Sequence, residues 1–460
     1  MTTNHLPASV DAAIDSRLDA YQNALFDLLR QPTVSSTEGD MDEWADLVGQ
    51  FLAEFGFEHW KLIETNHDPL VYAEILTDPE APTVVFYGHY DVQPAGDEAD
   101  WDSPPFEPTI RNGSIYARGA GDNKGQFSAH VFAVNALLAA DAFPTVNVKL
   151  LLEGGEESGS PGLREYLDTE ATEIADADLV YIADGPLHRS RQPTLIYGHR
   201  GILMLQLTHQ TANSDLHSGN FGGPVPNAAN ELVEVIDSMQ IDAGAEIAVD
   251  GFYDGILVTD TDRELVAAIP ADDEEFKEEL GLTHFASDRP YNERLLLEPT
   301  LNINSLTGGY QGSGGKTIIA HEATAMIDCR LVPDQDPDAV FEAIRVHVEA
   351  VNPDVNVNKL AAYPPTKTPV DTPAADNVKH ALTDVWSEKV VELPLLGGSL
   401  PAAYFRNVNE LADVPVLVVP YANPDQNNHA PNEHLDLDCF ENGIRTSAAF
   451  LGRFAESAYT

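Results

Sequence analysis

Apolar residues recur at helical spacing over residues 9–30 and again over 41–55, and that period predicts two amphipathic surface helices. Short β-branched and aromatic runs bounded by turn residues follow at 71–75 and 83–90 (TVVFYGHY), the pattern of strands. Residues 124–140 return to the helical period, 147–152 (NVKLLL) predicts a strand, 162–167 a helix and 178–182 a further strand. Strands that alternate with helices imply an α/β domain built on a largely parallel, buried sheet. From residue 198 the texture changes to longer alternating strands such as 201–209 and 323–332, with helices at 227–239 and 337–351, which describes an α+β layer. After about residue 365 the α/β pattern returns, with a helix at 374–386 and a strand at 414–419. The reading is one α/β domain made of residues 1–197 and 366–460, interrupted by an inserted α+β domain over 198–365.

Composition narrows the function classes. The chain has 460 residues, 43% of them hydrophobic and spread along its whole length, so a disordered reading fails. No stretch approaches the roughly 20 apolar residues that span a bilayer, and residues 1–8 lack the basic-then-apolar pattern of a signal peptide, so a cytoplasmic protein is expected. Two cysteines, Cys329 and Cys439, are too few for a disulfide framework or a thiolate cluster, so any metal must be held by oxygen and nitrogen. Seventy-five acidic against 25 basic side chains give a net charge of −50, which repels nucleic acid phosphates and anionic membranes, so neither is expected as a partner. The acid is distributed along the chain and is dense only at residues 272–279 (DDEEFKEE). With nine lysines against sixteen arginines, that surface suits a salt-rich cytoplasm, where screening suppresses self-repulsion, and a halophilic protein is expected.

The candidate chemistry lies just after the predicted strands of the α/β part, where open parallel sheets bind their ligands. His89 closes the strand TVVFYGHY, and Asp91, two residues on, can orient its imidazole as a second carboxylate partner does for a metal-binding histidine. Arg118-Gly-Ala-Gly-Asp122-Asn-Lys-Gly125 is a glycine-rich turn into a helix. Its spacing is one residue too long for a dinucleotide fingerprint, and the glycines serve better to bend the backbone so that Asp122 points into the crevice. Glu156 and Glu157 follow the strand NVKLLL, and adjacent acids facing different ways allow one to bind metal and the other to face a reacting water. Asp184 ends the next strand, and His429 lies in the loop NNHAPNE. Two imidazoles and three carboxylates after successive strands would hold two hard or borderline cations, the arrangement for metal-assisted amide hydrolysis.

In series, GHYDVQPA, WDSPPFEPTIRNGSIYARGAGDNKG, EGGEESGS, HSGNFGG, RLVPDQDP, GGSLP and HAPNE give the chain a resemblance, over nearly its full length, to the M20 family of di-zinc metallopeptidases, nearest the carnosinase-like dipeptidase branch. The resemblance implies a catalytic α/β domain interrupted by a lid that also makes a homodimer contact. It implies that His89 and Asp184 bind one metal, Glu157 and His429 the other, and Asp122 both, with Asp91 orienting His89. Glu156 is then the general base, acting on a water between two divalent cations, zinc first and manganese or cobalt as alternatives. His217 resembles the family histidine that reaches a neighbouring subunit's site to meet the oxyanion. Arg330 with Gly398 and Ser399 resembles the group that holds the substrate's terminal carboxylate. The implied reaction is metal-dependent hydrolysis of dipeptides or short peptides. The alternative is an N-acyl amino acid amidohydrolase, a deacylase or desuccinylase with the same metal centre, and from another class a silent metal-binding scaffold.

Two residues depart from the family pattern, Gly121 and Asn123, where its dipeptidases usually carry threonine and aspartate. The resemblance also implies a cis peptide at Asp122–Asn123. His188, His199, His209 and His434 read as structural or solvated. GSGGKT at 312–317 imitates a phosphate loop but has Tyr310 where the pattern needs glycine, and no G-x-S-x-G elbow follows a strand with acid and histidine partners.

Overall fold

The computed structural model describes residues 6–35, 41–169, 171–241, 245–271, 273–406 and 408–457; residues 1–5 of the amino-terminal segment and Asp272 of the acidic run lie outside them. The described chain divides into two units, one of Met1–Tyr197, Thr368–Leu393 and Tyr404–Thr460, the other of Gly198–Lys367 and Pro394–Ala403.

The first unit is a mixed α/β layer structure on an eight-stranded sheet. Its order is His59–Ile63, Leu70–Ile75, Asn147–Glu153, Thr83–His89, Leu179–Ile182, Val416–Val418, Thr194–Ile196 and Val391–Leu393. The four strands from Asn147–Glu153 to Val416–Val418 run parallel, in a register that sets His89 opposite Glu153 and Tyr87 opposite Ile182. Strands Thr83–His89 and Asn147–Glu153 are buried at every position, which is why they read as continuous β-branched and aliphatic runs. The helix Lys124–Ala139 is buried nearly all round and packs on Thr83–His89 and on the carboxyl-terminal helix Leu437–Ser457. Phe132 on the former stacks on Tyr21 at 4.5 Å, and His130 lies flat on Phe86 at 4.0 Å.

The second unit is α+β. A four-stranded antiparallel sheet, ordered Thr300–Gly308, Glu322–Leu331, Gly201–Gln210 and Val355–Tyr363, carries the helices Ala228–Ser238 and Pro337–Val351. Strand Gly201–Gln210 alternates buried and half-buried positions, so that Leu203, Leu205 and Leu207 meet Val235, Ile344 and Cys329 in one core.

The differences from the sequence reading include three with a clear physical cause. The helical period over 9–30 belongs to two helices, Ala8–Asp15 and Leu18–Leu29, because Ser16 Oγ donates to Ala13 O at 3.0 Å and the Arg17 N–H turns back to Ile14 O. Helix Leu437–Ser457 is not foreseen, since Gly443 and Gly452 lower its propensity; a Cβ at Gly443 would stand 2.8 Å from the Tyr421 ring, so close packing requires the glycine. The segment Pro394–Ala403 joins the second unit, although the sequence boundaries place it in the returning part. Leu396 N donates to Gly198 O at 2.7 Å and Arg200 Nε to Gly397 O at 2.9 Å. Among the described residues no helix is long and apolar enough to cross a membrane.

Candidate metal centre

Parallel strands bring the chemistry together at their carboxyl ends. His89 is the last residue of its strand, Asp184 lies two residues beyond Leu179–Ile182, Glu156 and Glu157 form a 3-10 turn after Asn147–Glu153, and His429 follows Val416–Val418 in a longer loop. His89 Nε2 is 3.1 Å from Asp122 Oδ1 and 3.8 Å from Asp184 Oδ2. His429 Nε2 is 3.2 Å from Asp122 Oδ2 and 3.2 Å from Glu157 Oε2. Two groups of potential ligands result, His89–Asp122–Asp184 and Asp122–Glu157–His429, joined through the two oxygens of one carboxylate. Each combines one imidazole nitrogen with carboxylate oxygen, a donor set that fits zinc and its neighbours in the first transition row. A third group, Asp436, Asp438 and Cys439, is already engaged, for Asp436 accepts from Ser114 Oγ at 2.6 Å and pairs with Arg191, while Asp438 accepts from Cys439 N at 2.9 Å.

Asp91 lies two residues beyond the strand end, in the following loop. Its Oδ1 is 3.2 Å from His89 Nδ1, and its main-chain oxygen is 3.1 Å from the same nitrogen, so the ring proton is held at Nδ1 and Nε2 presents its lone pair to the carboxylates. The same carboxylate accepts the N–H of Glu156 at 3.2 Å and of Glu157 at 3.0 Å. Asp91 thus fixes the 156–157 turn as well as the imidazole.

Electrostatics show where positive charge is wanted. Hydrogen bonds to Asp122 and Glu157 push the half-exposed His429 ring up to about 10. Burial alone would lower His89, and its contacts with Asp122 and Asp91 reverse that, leaving it well above the ordinary imidazole range. Burial, then the nearby Asp122 charge, pushes Asp184 up to about 7, and burial together with Asp184, Glu157 and Asp122 holds Glu156 well above the carboxylate range. Asp122 alone runs the other way, since the two imidazoles on its oxygens outweigh its burial. So many acids in one buried place favour cations, and protons bound at these groups would compete with metal ions for the same lone pairs.

The glycine-rich turn bends as the spacing suggests, with Gly119 at φ +86° and a Cβ at Gly125 excluded by Ala120 O at 2.1 Å. The peptide Asp122–Asn123 is cis. Gly121, the departure from the family's threonine, leaves room for Gln426, whose Oε1 would stand 1.8 Å from an added Cβ. Asn123 donates to Ala183 O at 2.7 Å and accepts from His89 N at 3.3 Å, tying the His89 and Asp184 strand ends together without a second aspartate.

Other supporting residues escaped the sequence reading. Gln126 donates to Gly121 O at 2.7 Å and to Gly185 O at 3.1 Å while accepting from Tyr421 N at 2.7 Å, and Gln93 Nε2 donates to Glu157 Oε2 at 2.9 Å. Glu433 sits beneath the 118–122 turn. Their partners are mostly main-chain groups distant in sequence, which residue type and spacing do not reveal.

In the second unit, Arg330 Nη1 donates to Ser399 Oγ at 3.1 Å, and that hydroxyl donates to Arg200 O at 2.7 Å; Gly398 is exposed beside it. Arg200, unforeseen, is buried with its Nη1 lacking a protein acceptor. His217 is exposed and caps the turn Ser218–Phe221, its Nδ1 accepting from Gly219 N at 3.0 Å. Of the other histidines, His199 is bonded to Arg200 O, His209 to Glu231, His188 to Ser190, and His434 stacks on Tyr116.

Comparison with known proteins identifies the family. The chain is 31% identical over 399 residues to mouse Beta-Ala-His dipeptidase, covering 83% of this chain and 79% of the relative. It is 29% identical to Cys-Gly metallodipeptidase dug1 of Schizosaccharomyces pombe, covering 96% and 97% of the two chains. The fold is similar to the crystal structure of the M20 family metallo-carboxypeptidase Sso-CP2 from Sulfolobus solfataricus, with a TM-score of 0.87 and 32% identity, covering 95% of this chain and 99% of that one. The model of Peptidase family M20/M25/M40 matches residues 85–453, a span that takes in every ligand candidate from His89 to His429; the chain belongs to this family and is a hydrolase acting on peptide bonds.

Proposed function

We propose that the enzyme hydrolyses dipeptides or short peptides with two divalent cations, zinc first and manganese or cobalt as alternatives, held by His89, Asp184, Asp122, Glu157 and His429. The observation that carries this reading is the Asp122 carboxylate, 3.1 Å from one imidazole and 3.2 Å from the other, which makes a single centre of two mixed nitrogen and oxygen donor groups. When bound, such cations lower the pKa of water and polarise an amide carbonyl. Glu156 takes the proton of the attacking water and delivers it to the leaving nitrogen, and its buried, acid-crowded position makes it a stronger base than an ordinary carboxylate. Asp91 holds His89 in the tautomer that a ligand needs.

On the family resemblance, Arg330 with Gly398 and Ser399 is assigned to the substrate's terminal carboxylate, and His217 to the developing oxyanion, supplied by a second copy in a homodimer through the inserted lid domain. The His217 assignment is supported by its exposed ring and by the N–H that Nδ1 accepts, which leaves the neutral ring's proton on Nε2 as a donor. Exposed Ile303 and Leu306 on the edge strand Thr300–Gly308 support the homodimer. The charge of −50 supports a salt-rich cytoplasm as the working medium.

The test is a panel of unblocked dipeptides, Beta-Ala-His and Cys-Gly among them, against N-acetyl and N-succinyl amino acids, run at molar KCl with and without chelator. Chelator-sensitive cleavage of the free dipeptides is expected, and preference for the acylated amino acids would replace this reading with an amidohydrolase. Glu156→Gln should keep both metals and lose nearly all turnover; an active variant would remove Glu156 from its role.

A further inference from the structure

Glu433 is fully buried, and four donors converge on its carboxylate. Oε1 accepts the N–H of Gly121 at 2.9 Å and of Asp122 at 3.0 Å, while Oε2 accepts the N–H of Gly119 at 3.0 Å and Arg118 Nη1 at 2.6 Å. Three of the four are consecutive or near-consecutive main-chain groups of the turn that delivers Asp122, a concavity of amides that favours an anion. Only the fourth is a side chain, so the carboxylate does more than neutralise Arg118.

Glu433 also lies four residues after His429 on one loop. That loop is closed at its base, where His434 N donates to Gln426 O at 2.8 Å, and it is docked to the turn by Ala117 N donating to Glu433 O at 3.1 Å. Any displacement of Glu433 therefore shifts the amide of Asp122 and the backbone leading to His429 together.

We propose that Glu433 is a positioning residue that locks the Asp122 turn and the His429 loop into one metal-binding unit, an inference that rests on the two-metal reading above. It touches neither metal nor substrate and acts through the direction of Asp122. Because the Asp122 oxygens face both imidazoles, loss of Glu433 must weaken both metals, whereas loss of a group touching one ligand set weakens one.

The experiment is titration of chelator-stripped protein with Zn²⁺ by calorimetry and with Co²⁺ by visible absorption. Glu433→Gln turns an NH2 group toward N–H donors, and Glu433→Asp is one methylene too short to reach all four. Both should bind each of the two metals about 10–100-fold more weakly, the range for outer partners of metal ligands. Arg118→Met/Glu433→Gln removes the buried charges as a pair and should keep a cooperative melt while showing the same loss. In the unmodified metal-free protein, the amides of Gly121 and Asp122 should resist hydrogen exchange, since Glu433 holds them without metal. Wild-type binding of two metals with unchanged affinity in the folded variants, or unprotected amides at these positions, would overturn the inference alone. A wild-type protein that binds no metal would overturn the metal reading and this inference with it.

Discussion

Replacing Asp91 by asparagine touches three contacts of the centre at once and should break one of them outright. The Asp91 carboxylate is buried, stands 3.2 Å from His89 Nδ1, and accepts the main-chain N–H groups of Glu156 at 3.2 Å and Glu157 at 3.0 Å. Asparagine has nearly the same shape but only one acceptor oxygen. With that oxygen on Glu157, its NH2 group faces the Glu156 N–H and the imidazole, both donors. One orphaned buried N–H costs about 1–3 kcal/mol, and it falls on the turn that carries both glutamates. The imidazole is better protected, because the Asp91 main-chain oxygen lies 3.1 Å from Nδ1 and survives the substitution, so the tautomer of His89 persists. The expected result is a loss of about 10–100-fold in kcat/KM, the range for outer partners of metal ligands, with Asp91→Ala only modestly worse than Asp91→Asn. Steady-state kinetics on the dipeptide selected by the panel, beside a Zn²⁺ titration, measure it. An Asp91→Asn enzyme with kcat/KM and metal affinity both within about twofold of wild type would refute the reasoning.

Two further predictions concern the scaffold around the centre. Burial pushes His130 down to about 3, so between its ordinary 6.5 and about 3 the unfolded ring binds a proton that the folded ring refuses, and stability must fall as pH falls through that window, by at most about 5 kcal/mol. Thermal melts should therefore slope less steeply with acid in His130→Gln than in wild type, and equal slopes would exclude this source of acid lability. Gly121→Thr, which restores the family's residue, meets Gln426 at a distance no real Cβ adopts and should destabilise by about 1–3 kcal/mol. Adding Gln426→Ala should recover most of that loss in chemical denaturation, and a double variant as unstable as the single would show that the clash is not with Gln426.

How much of this was legible in the sequence depends on how far each residue's partner lies. The central strands are legible because burial on both faces favours apolar residues along most of their length, as at Val84, Val85 and Phe86. Four of the ligand candidates, His89, Glu157, Asp184 and His429, are legible for a topological reason, since they follow parallel strands whose ends lie side by side, whereas Asp122 comes from the glycine-rich turn that leads into the helix Lys124–Ala139. Helical period, by contrast, carried straight through Ser16 and Arg17, where two local hydrogen bonds end one helix and start the next.

The supporting shell fails to show for a different reason. Asn123 works by reaching Ala183, Gln126 by reaching Gly185 and Tyr421, and Glu433 by reaching amides more than 300 residues earlier, all through main-chain atoms that every residue possesses. A side chain that reads a backbone has no partner type to leave a trace in the sequence, so Asn123 could be noted only as a missing aspartate. Its two bonds, to His89 N and Ala183 O, show that an amide suits that position better than an acid, because it must donate to a carbonyl while accepting from an N–H. An aspartate there would offer the carbonyl of Ala183 no donor unless it were protonated, so the departure from the family pattern is chemically consistent with the centre it surrounds.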